Sequence, residues 1–483
     1  MRWIPNQIKT FGRLELVSFA TGFSLLTFEL VAARILAPTI GSSTYVWTSV
    51  IGVIIAALSV GFYIGGRLAD TRNKATDVAW LLLLASATVV LTKLWYLSIL
   101  DNVSINYTDP RLQAVMASLF LFAPTSFLIG ITSPYLAKLN VRSLGTSGQS
   151  VANLDMFNSL GGIIGTFVTG FVLFGYIGSQ QSLAIVASLL FVTSWLMAPT
   201  YRWRLRIGLG AIILFMLIVP SMSKFGVIDI DTPSSHYQVA QMRAGDRPVN
   251  VLITGPTGYQ SAVFTSGSND LIFWYTREMT DIAIKMQPDR ILVLGGGAFT
   301  MPAYLADKLP KTQIDVVEID PELENIARQY FRYDSPDNVR IIAEDARTYV
   351  NNAKEIYDLV LIDVYSDGEI PFTLITKEFT SELAEIVRPG GFVVANVITG
   401  ESGPCRDAMI AIDAAYRQQW PGASYVRSPE AGDKVRSNYL FMYGDVTVLP
   451  KDFKVMPSFG GNVYSDNFVP AEKMHYECSQ MQH

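Results

Sequence analysis

Carboxylates at the ends of three successive apolar runs are the residues with which this chain could do chemistry. Glu318 lies in the run Asp315 to Ile319, Asp345 closes Arg340 to Ala346, and Asp363 closes Tyr357 to Asp363. Ahead of them, Ile291 to Leu294 stops at Gly295, Gly296 and Gly297 and resumes with helical spacing. That pattern reads as strand, tight turn and helix, the opening of a βαβ unit. The glycines let backbone approach a ligand closely, and an acid after the next strand is where such folds hold a ribose through its hydroxyls. A dinucleotide fingerprint wants a small residue where Thr300 stands, which weakens NAD. Acids at three strand ends fit S-adenosylmethionine better, with Glu318 for the ribose, Asp345 for the adenine amine and Asp363 beside the sulfonium. Each acid taken singly also has a structural reading, because carboxylates at strand ends cap turns.

The other residue types narrow the chemistry. Two cysteines, Cys405 and Cys478, stand far apart without partners at zinc spacing, which predicts no metal site and no disulfide framework. Three histidines, His236, His475 and His483, leave little for a nucleophile–histidine–acid triad. A net charge of -5 and the lack of a dense basic stripe argue against nucleic acid as partner. What remains is carboxylate chemistry on a small molecule.

The motif series Leu294-Gly295-Gly296-Gly297, Glu318-Ile319-Asp320, Asp345-Ala346 and Ile362-Asp363 with Asp367 resembles that of spermidine synthases, the aminopropyltransferases. Upstream, Ser235-His236-Tyr237-Gln238, Gln260 and Tyr275 with Glu278-Met279 fit the small β-region that precedes the cofactor fold in that family. The whole chain is similar to integral-membrane spermidine-synthase-like proteins, in which this domain follows a helical membrane region. The resemblance implies that Asp363 and Tyr275 take a proton from an attacking amine, with Asp367 beside them. It also implies that Gln238 and Gln260 line the donor's chain, and that Gly295, Gly296, Gly297, Ala298, Glu318, Asp345 and Ala346 hold the adenosyl part. An ammonium has no lone pair, so deprotonation is what such a site must supply.

Two departures from that pattern bear on the substrate. Ala298 stands where the family has the acid that binds the amine of decarboxylated S-adenosylmethionine. A carboxylate there would repel the carboxylate of S-adenosylmethionine by on the order of 4 kcal/mol at about 4 Å and an effective dielectric near 20. Without it, N–H groups near Phe299 and Thr300 could welcome an anion. After Asp363, Val364 to Pro371 carries one residue more between the acids than the family loop. Three readings stay open. The first is cleavage of S-adenosylmethionine between sulfur and the γ-carbon, releasing 5′-methylthioadenosine, by ring closure or by transfer of the amino-carboxypropyl group. The second is spermidine synthesis from decarboxylated S-adenosylmethionine and putrescine. The third is a membrane transporter or sensor with a non-catalytic binding module.

The elements that must position these residues divide the chain in two. At 483 residues, 50% hydrophobic and 16% charged, the composition is too apolar for a soluble enzyme of this size. Apolar spans near 14–36, 44–66, 78–100, 112–139, 154–177, 180–198 and 205–222 are each long enough for a bilayer needing roughly 20 residues. Glu29 and Arg34 are ionisable groups at membrane depth, Gly161, Gly162, Gly165 and Gly170 make a small-residue stripe for close helix approach, and Gly65 to Arg72 resembles a loop motif of major-facilitator transporters. The expected fold is a multi-span α-helical membrane domain over 1–224, a small antiparallel β-region over 225–288, a Rossmann-like doubly wound sheet over 289–450, and a tail over 451–483 that is partly ordered at best. Basic loops at Arg67 to Lys74, Lys138 to Arg142 and Arg202 to Arg206 should face the cytoplasm, which after seven crossings puts the soluble part outside. Cytosolic supply of the cofactor argues for the inside, and resolves the conflict only if one span, first of all 205–222, does not cross. The expected location is therefore a bacterial inner membrane with a cytosolic catalytic domain, with room for a homo-oligomer.

Overall fold

The computed structural model describes the chain except residues 1–11, 42, 142–146, 219–225, 233, 255–257, 366–370, 433–435, 445–451, 459, 468, 471–473, 475–476 and 479–483. It forms two units, one of residues 1–225 with Ile230–His236, the other of Gly226–Asp229 with Tyr237–His483.

The first unit is helical: α1 (Arg13–Ile40), α2 (Thr44–Arg72), α3 (Ala75–Asn106), α4 (Pro110–Leu121), α5 (Ala123–Asn140), α6 (Ser147–Val168), a π-helical turn at Thr169–Leu173, the short α7 (Phe174–Tyr176), α8 (Ser179–Met197) and α9 (Trp203–Ile218). Among the described residues five helices are long and apolar enough to cross a membrane, and α4 with α5, bent by 53°, makes a sixth candidate. Side-chain bonds fix their directions. Ser18 donates to the Leu154 carbonyl, and Thr169 bonds Thr27 at 3.0 Å, so α1 and α6 run parallel. Ser86 donates to Ala187 and Ser194 to Ala79, so α3 and α8 run antiparallel. Lys138 meets Asp70 at 2.8 Å, where α2 and α5 end together. Glycine permits the closest approaches: a Cβ on Gly161 would lie 2.0 Å from the Phe19 carbonyl oxygen. The expected stripe holds for Gly161, Gly162 and Gly165 but not for Gly170, which faces open space. Arg34 donates to the Thr232 carbonyl at 2.6 Å and lies over the Phe174 ring.

A four-stranded sheet follows, β1 (Val227–Asp231), β2 (His236–Ala244), β3 (Arg247–Thr254) and β4 (Gly258–Phe264), in that order; Ile230, Asp231 and His236 count with the first unit and its other residues with the second. After α10 (Trp274–Met286) come β5 (Arg290–Leu294), α11 (Thr300–Lys308), β6 (Gln313–Glu318), α12 (Glu322–Tyr330), β7 (Val339–Ala343), α13 (Ala346–Asn352), β8 (Tyr357–Ile362), α14 (Lys377–Ile386), β9 (Val387–Thr399), α15 (Gly403–Tyr416), β10 (Ala423–Arg427), β11 (Ser437–Tyr443) and β12 (Lys454–Val455). They form an eight-stranded sheet of order β12-β10-β11-β9-β8-β5-β6-β7, parallel from β9 to β7, with β11 antiparallel to β9. Ile291 to Leu294 are all inaccessible to solvent, as a strand covered on both faces requires. Chain order reverses on either side of β5, and in such sheets ligands bind beyond the carboxyl ends of the strands at that point. Inside β6, Asp315 is buried and accepts from Arg290, Arg340 and the Tyr357 hydroxyl, which ties four strands together.

One expectation about the C-terminal region is corrected. Cys405 and Cys478 form a disulfide, both sulfurs being buried where α15 begins. Among the described residues of the tail, β12 pairs with β10, Met456 is buried, and Asp466 accepts from Thr376 at 2.6 Å and from Arg347.

Candidate active site

Parallel register brings the acids and the glycine loop to one edge. Leu294 pairs with both Val317 and Ile362, so Gly295, Glu318 and Asp363 emerge side by side. Gly295 has φ +92°, and a Cβ there would lie 2.3 Å from the Asp363 carbonyl oxygen, so only glycine fits. The loop is then held from outside: Glu318 accepts from the N–H groups of Gly296 at 2.8 Å, Gly297 at 3.3 Å and Asp320 at 3.1 Å. Burial raises the Glu318 pKa against the opposing pull of these three N–H donors. Glu318 therefore organises the loop.

Asp363 is the centre of a second set of contacts. Its carboxylate accepts from the Asn396 amide at 2.9 Å and is hydrogen-bonded to the Tyr275 hydroxyl. Desolvation outweighs these bonds and pushes its pKa up to about 6. Tyr275 is driven well above its usual value, first by burial and then by the Asp363 charge, and it also donates to the Gln260 carbonyl at 3.4 Å. Asn396 is held in turn: its side-chain oxygen accepts from Asn438 at 3.0 Å, and its carbonyl accepts from the Tyr365 hydroxyl at 2.7 Å. Asp363 is thus a carboxylate whose pKa is raised towards neutrality and whose direction is fixed, the properties a general base needs.

The remaining predicted residues separate. Gln260 sits with Tyr275, and its carboxamide oxygen is buried without a hydrogen-bond partner among the described residues. A buried acceptor left open is a place for a ligand donor. Gln238 donates to Asp229 at 2.9 Å, within the small sheet. Asp345 caps α13, accepting from the Thr348 N–H at 3.0 Å, and Ala346 opens that helix as a buried residue. The turn-capping reading therefore holds for Asp345, whatever else it binds. Asp367 lies outside the described residues. Ala298 is buried, and its N–H donates to the Ser261 hydroxyl at 2.9 Å. The Phe299 N–H donates to the Gly296 carbonyl, so the expected free N–H at Phe299 is not there for an anion. Sequence reading missed Asn396, Ser261, Tyr365 and Asn438. For Asn396 a signal existed: a polar residue inside the apolar run Phe392 to Val397 of a buried strand.

With this geometry in place the comparisons are informative. Residues 272–419 match the family model described as spermine/spermidine synthase domain. The chain carries a spermidine-synthase-like domain. Over 133 residues, 27% of this chain and 44% of the relative, it is 34% identical to a polyamine aminopropyltransferase of Vibrio vulnificus. Over 136 residues it is 27% identical to a human eEF1A lysine and N-terminal methyltransferase, covering 26% of this chain and 19% of that one. A crystal structure of a probable spermidine synthase from Corynebacterium glutamicum superposes with a TM-score of 0.42 at 20% identity, over 48% of this chain and 95% of that one. The matched stretch spans less than half the length of either curated relative. Both relatives are named as group transferases, and the match covers the glycine loop, Glu318, Asp345, Asp363 and Asn396. Gln238 and Gln260 lie outside it.

Proposed function

We propose that the second unit binds S-adenosylmethionine and breaks its bond from sulfur to the γ-carbon, releasing 5′-methylthioadenosine, while the helical unit lies in a lipid bilayer. The observation that carries the reading is Asp363, buried beside Tyr275 and Gln260 and adjacent to the glycine loop. In transfer, an amine nitrogen attacks the γ-carbon and the electrons of the carbon–sulfur bond go to sulfur, which leaves as a neutral thioether. The proton lost by the amine goes to Asp363, whose pKa near 6 lets it accept one at neutral pH. In ring closure the donor's own carboxylate attacks the same carbon, and Asp363 orients the neighbouring ammonium instead. Intramolecular attack gains from large effective molarity and needs no second substrate.

Ala298 supports S-adenosylmethionine over its decarboxylated form, because a buried methyl and an N–H already bonded to Ser261 put no acid at the donor's amine. The likeness to a polyamine aminopropyltransferase favours a second reading, aminopropyl transfer from decarboxylated S-adenosylmethionine to a diamine. One experiment decides between them: purified full-length protein is incubated with each donor, with and without putrescine, and products are identified by mass. Methylthioadenosine from S-adenosylmethionine without amine is the expected result. Spermidine formed only from the decarboxylated donor and putrescine would establish the second reading in its place, and no product in any arm would overturn both.

A further inference from the structure

We infer that the catalytic unit faces the extracytoplasmic side of the membrane, the reverse of what cofactor supply led us to expect. The inference rests on the membrane reading of the helical unit, and three observations carry it.

The first is that the chain passes back along α8 after Met197, beginning with α9, whose 16 residues are fewer than those of the span candidates named above. At its start, Arg206 donates to the carbonyls of Ser194 and Ala198, at the C-terminal end of α8. Further along α9, Gly210 meets the Phe191 ring, so the two helices run antiparallel. After α9, Asp231 accepts from the N–H and hydroxyl of Ser179, at the N-terminal end of α8, and bonds His236 at 2.9 Å. All these residues belong to the helical unit. Its 19 residues make α8 about 28 Å long, close to the roughly 30 Å of a hydrocarbon core. Between Arg206 and Asp231 the chain therefore passes from one end of the bundle to the other, which a flat or re-entrant α9 would not do. Beyond Tyr237 no described helix qualifies as a span.

The second observation is which end is basic. Parallel α1 with α6, the shared end of α2 and α5, and antiparallel α3 with α8 give every span a direction. Arg13, Arg67, Arg72, Lys74, Lys138, Arg202 and Arg204 then gather at the Arg206 end. Among the described residues the Asp231 end has Arg111, the half-buried Arg34 and the buried Lys93, one turn from the Tyr96 that meets Gln180 at the start of α8. Basic loops stay in the cytoplasm, so the Asp231 end and the chain continuing from it lie outside.

The third is independent of the first two. Both cysteines of the chain are spent on one buried disulfide inside the catalytic unit. Disulfides of this kind persist in the periplasm and outside cells, and are rare where thiol reductants are abundant. An adenosyl donor must then reach the site from that side.

The test uses the full chain with one added surface cysteine, expressed in bacteria and treated as spheroplasts with a membrane-impermeant maleimide before and after lysis. Lys311→Cys reports the catalytic unit, Asn106→Cys the far end of α3 and Lys74→Cys the basic loop. We expect the first two to label before lysis and the third only after. Protection of Lys311→Cys alongside labelling of Asn106→Cys would overturn the inference and leave the membrane reading standing. Labelling of all three before lysis would overturn both. A second measurement needs no substitution: cells with the unaltered chain are denatured in a permeant maleimide, and Cys405 and Cys478 should resist modification until a reductant is added. Modification of both without reductant would overturn the inference.

Discussion

Buried polar groups are plentiful in both units, but the two spend them differently. In the helical unit Ser18, Ser86 and Ser194 each donate to a backbone carbonyl of a neighbouring helix, Ser194 also accepting from Arg206, and so tie helix to helix. Such bonds hold neighbouring helices in register. In the α/β unit the polar chain from Asn438 through Asn396 to Asp363 and Tyr275 ends on a carboxylate with its pKa displaced towards neutrality. A satisfied hydroxyl fixes geometry; a partly satisfied acid keeps free energy available for a proton or a ligand.

That contrast can be broken most directly at the acid. Asp363→Asn should lower turnover by about 10²- to 10⁴-fold, the usual worth of a general base, while calorimetry finds S-adenosylmethionine binding retained. Loss of binding together with turnover would make Asp363 a packing residue and erase the difference between the units. The covalent tie sharpens the comparison next. Reduction of the disulfide, which links residues 73 apart, should destabilise the α/β unit by about 4 kcal/mol on the chain-entropy account. Thermal melts followed in each unit should show the helical one unmoved by reductant.

A smaller effect tests the helical side. Gly161→Ala puts a Cβ 2.0 Å from the Phe19 carbonyl oxygen, so α1 and α6 must separate, at a cost of roughly 1–3 kcal/mol. Melting in detergent should fall, and turnover per folded molecule should hold. The smallest effect is on positioning: Asn396→Ala removes a donor that favours the Asp363 carboxylate, so the pKa near 6 should rise further. The base is active when deprotonated, hence activity falls as pH drops through that value, and in the variant the acid limb should move to higher pH with about a tenfold loss at neutrality. An unmoved limb would mean that Asn396 serves only the packing of β9.

Much of this was legible along the chain because its period is short. Apolar runs of membrane length, three glycines after a buried strand and acids at successive strand ends are local patterns, and they led to the helical half, the doubly wound sheet and the trio of Glu318, Asp345 and Asp363. The spacing also identified Gly295 as the turn, since a left-handed conformation in a strand-to-helix turn calls for glycine. What the sequence by itself determined was therefore the inventory and the edge of the sheet where chemistry collects. The tertiary structure decided how those residues are used. Asn396 reaches Asp363 across 33 positions because β9 lies beside β8 in register, and Cys405 meets Cys478 because the tail folds back to the start of α15. The direction of α9 likewise follows from what Arg206 and Asp231 touch at the two ends of α8. Such contacts join residues through space, and a chain read in one dimension carries periodicity but no distance between its distant parts.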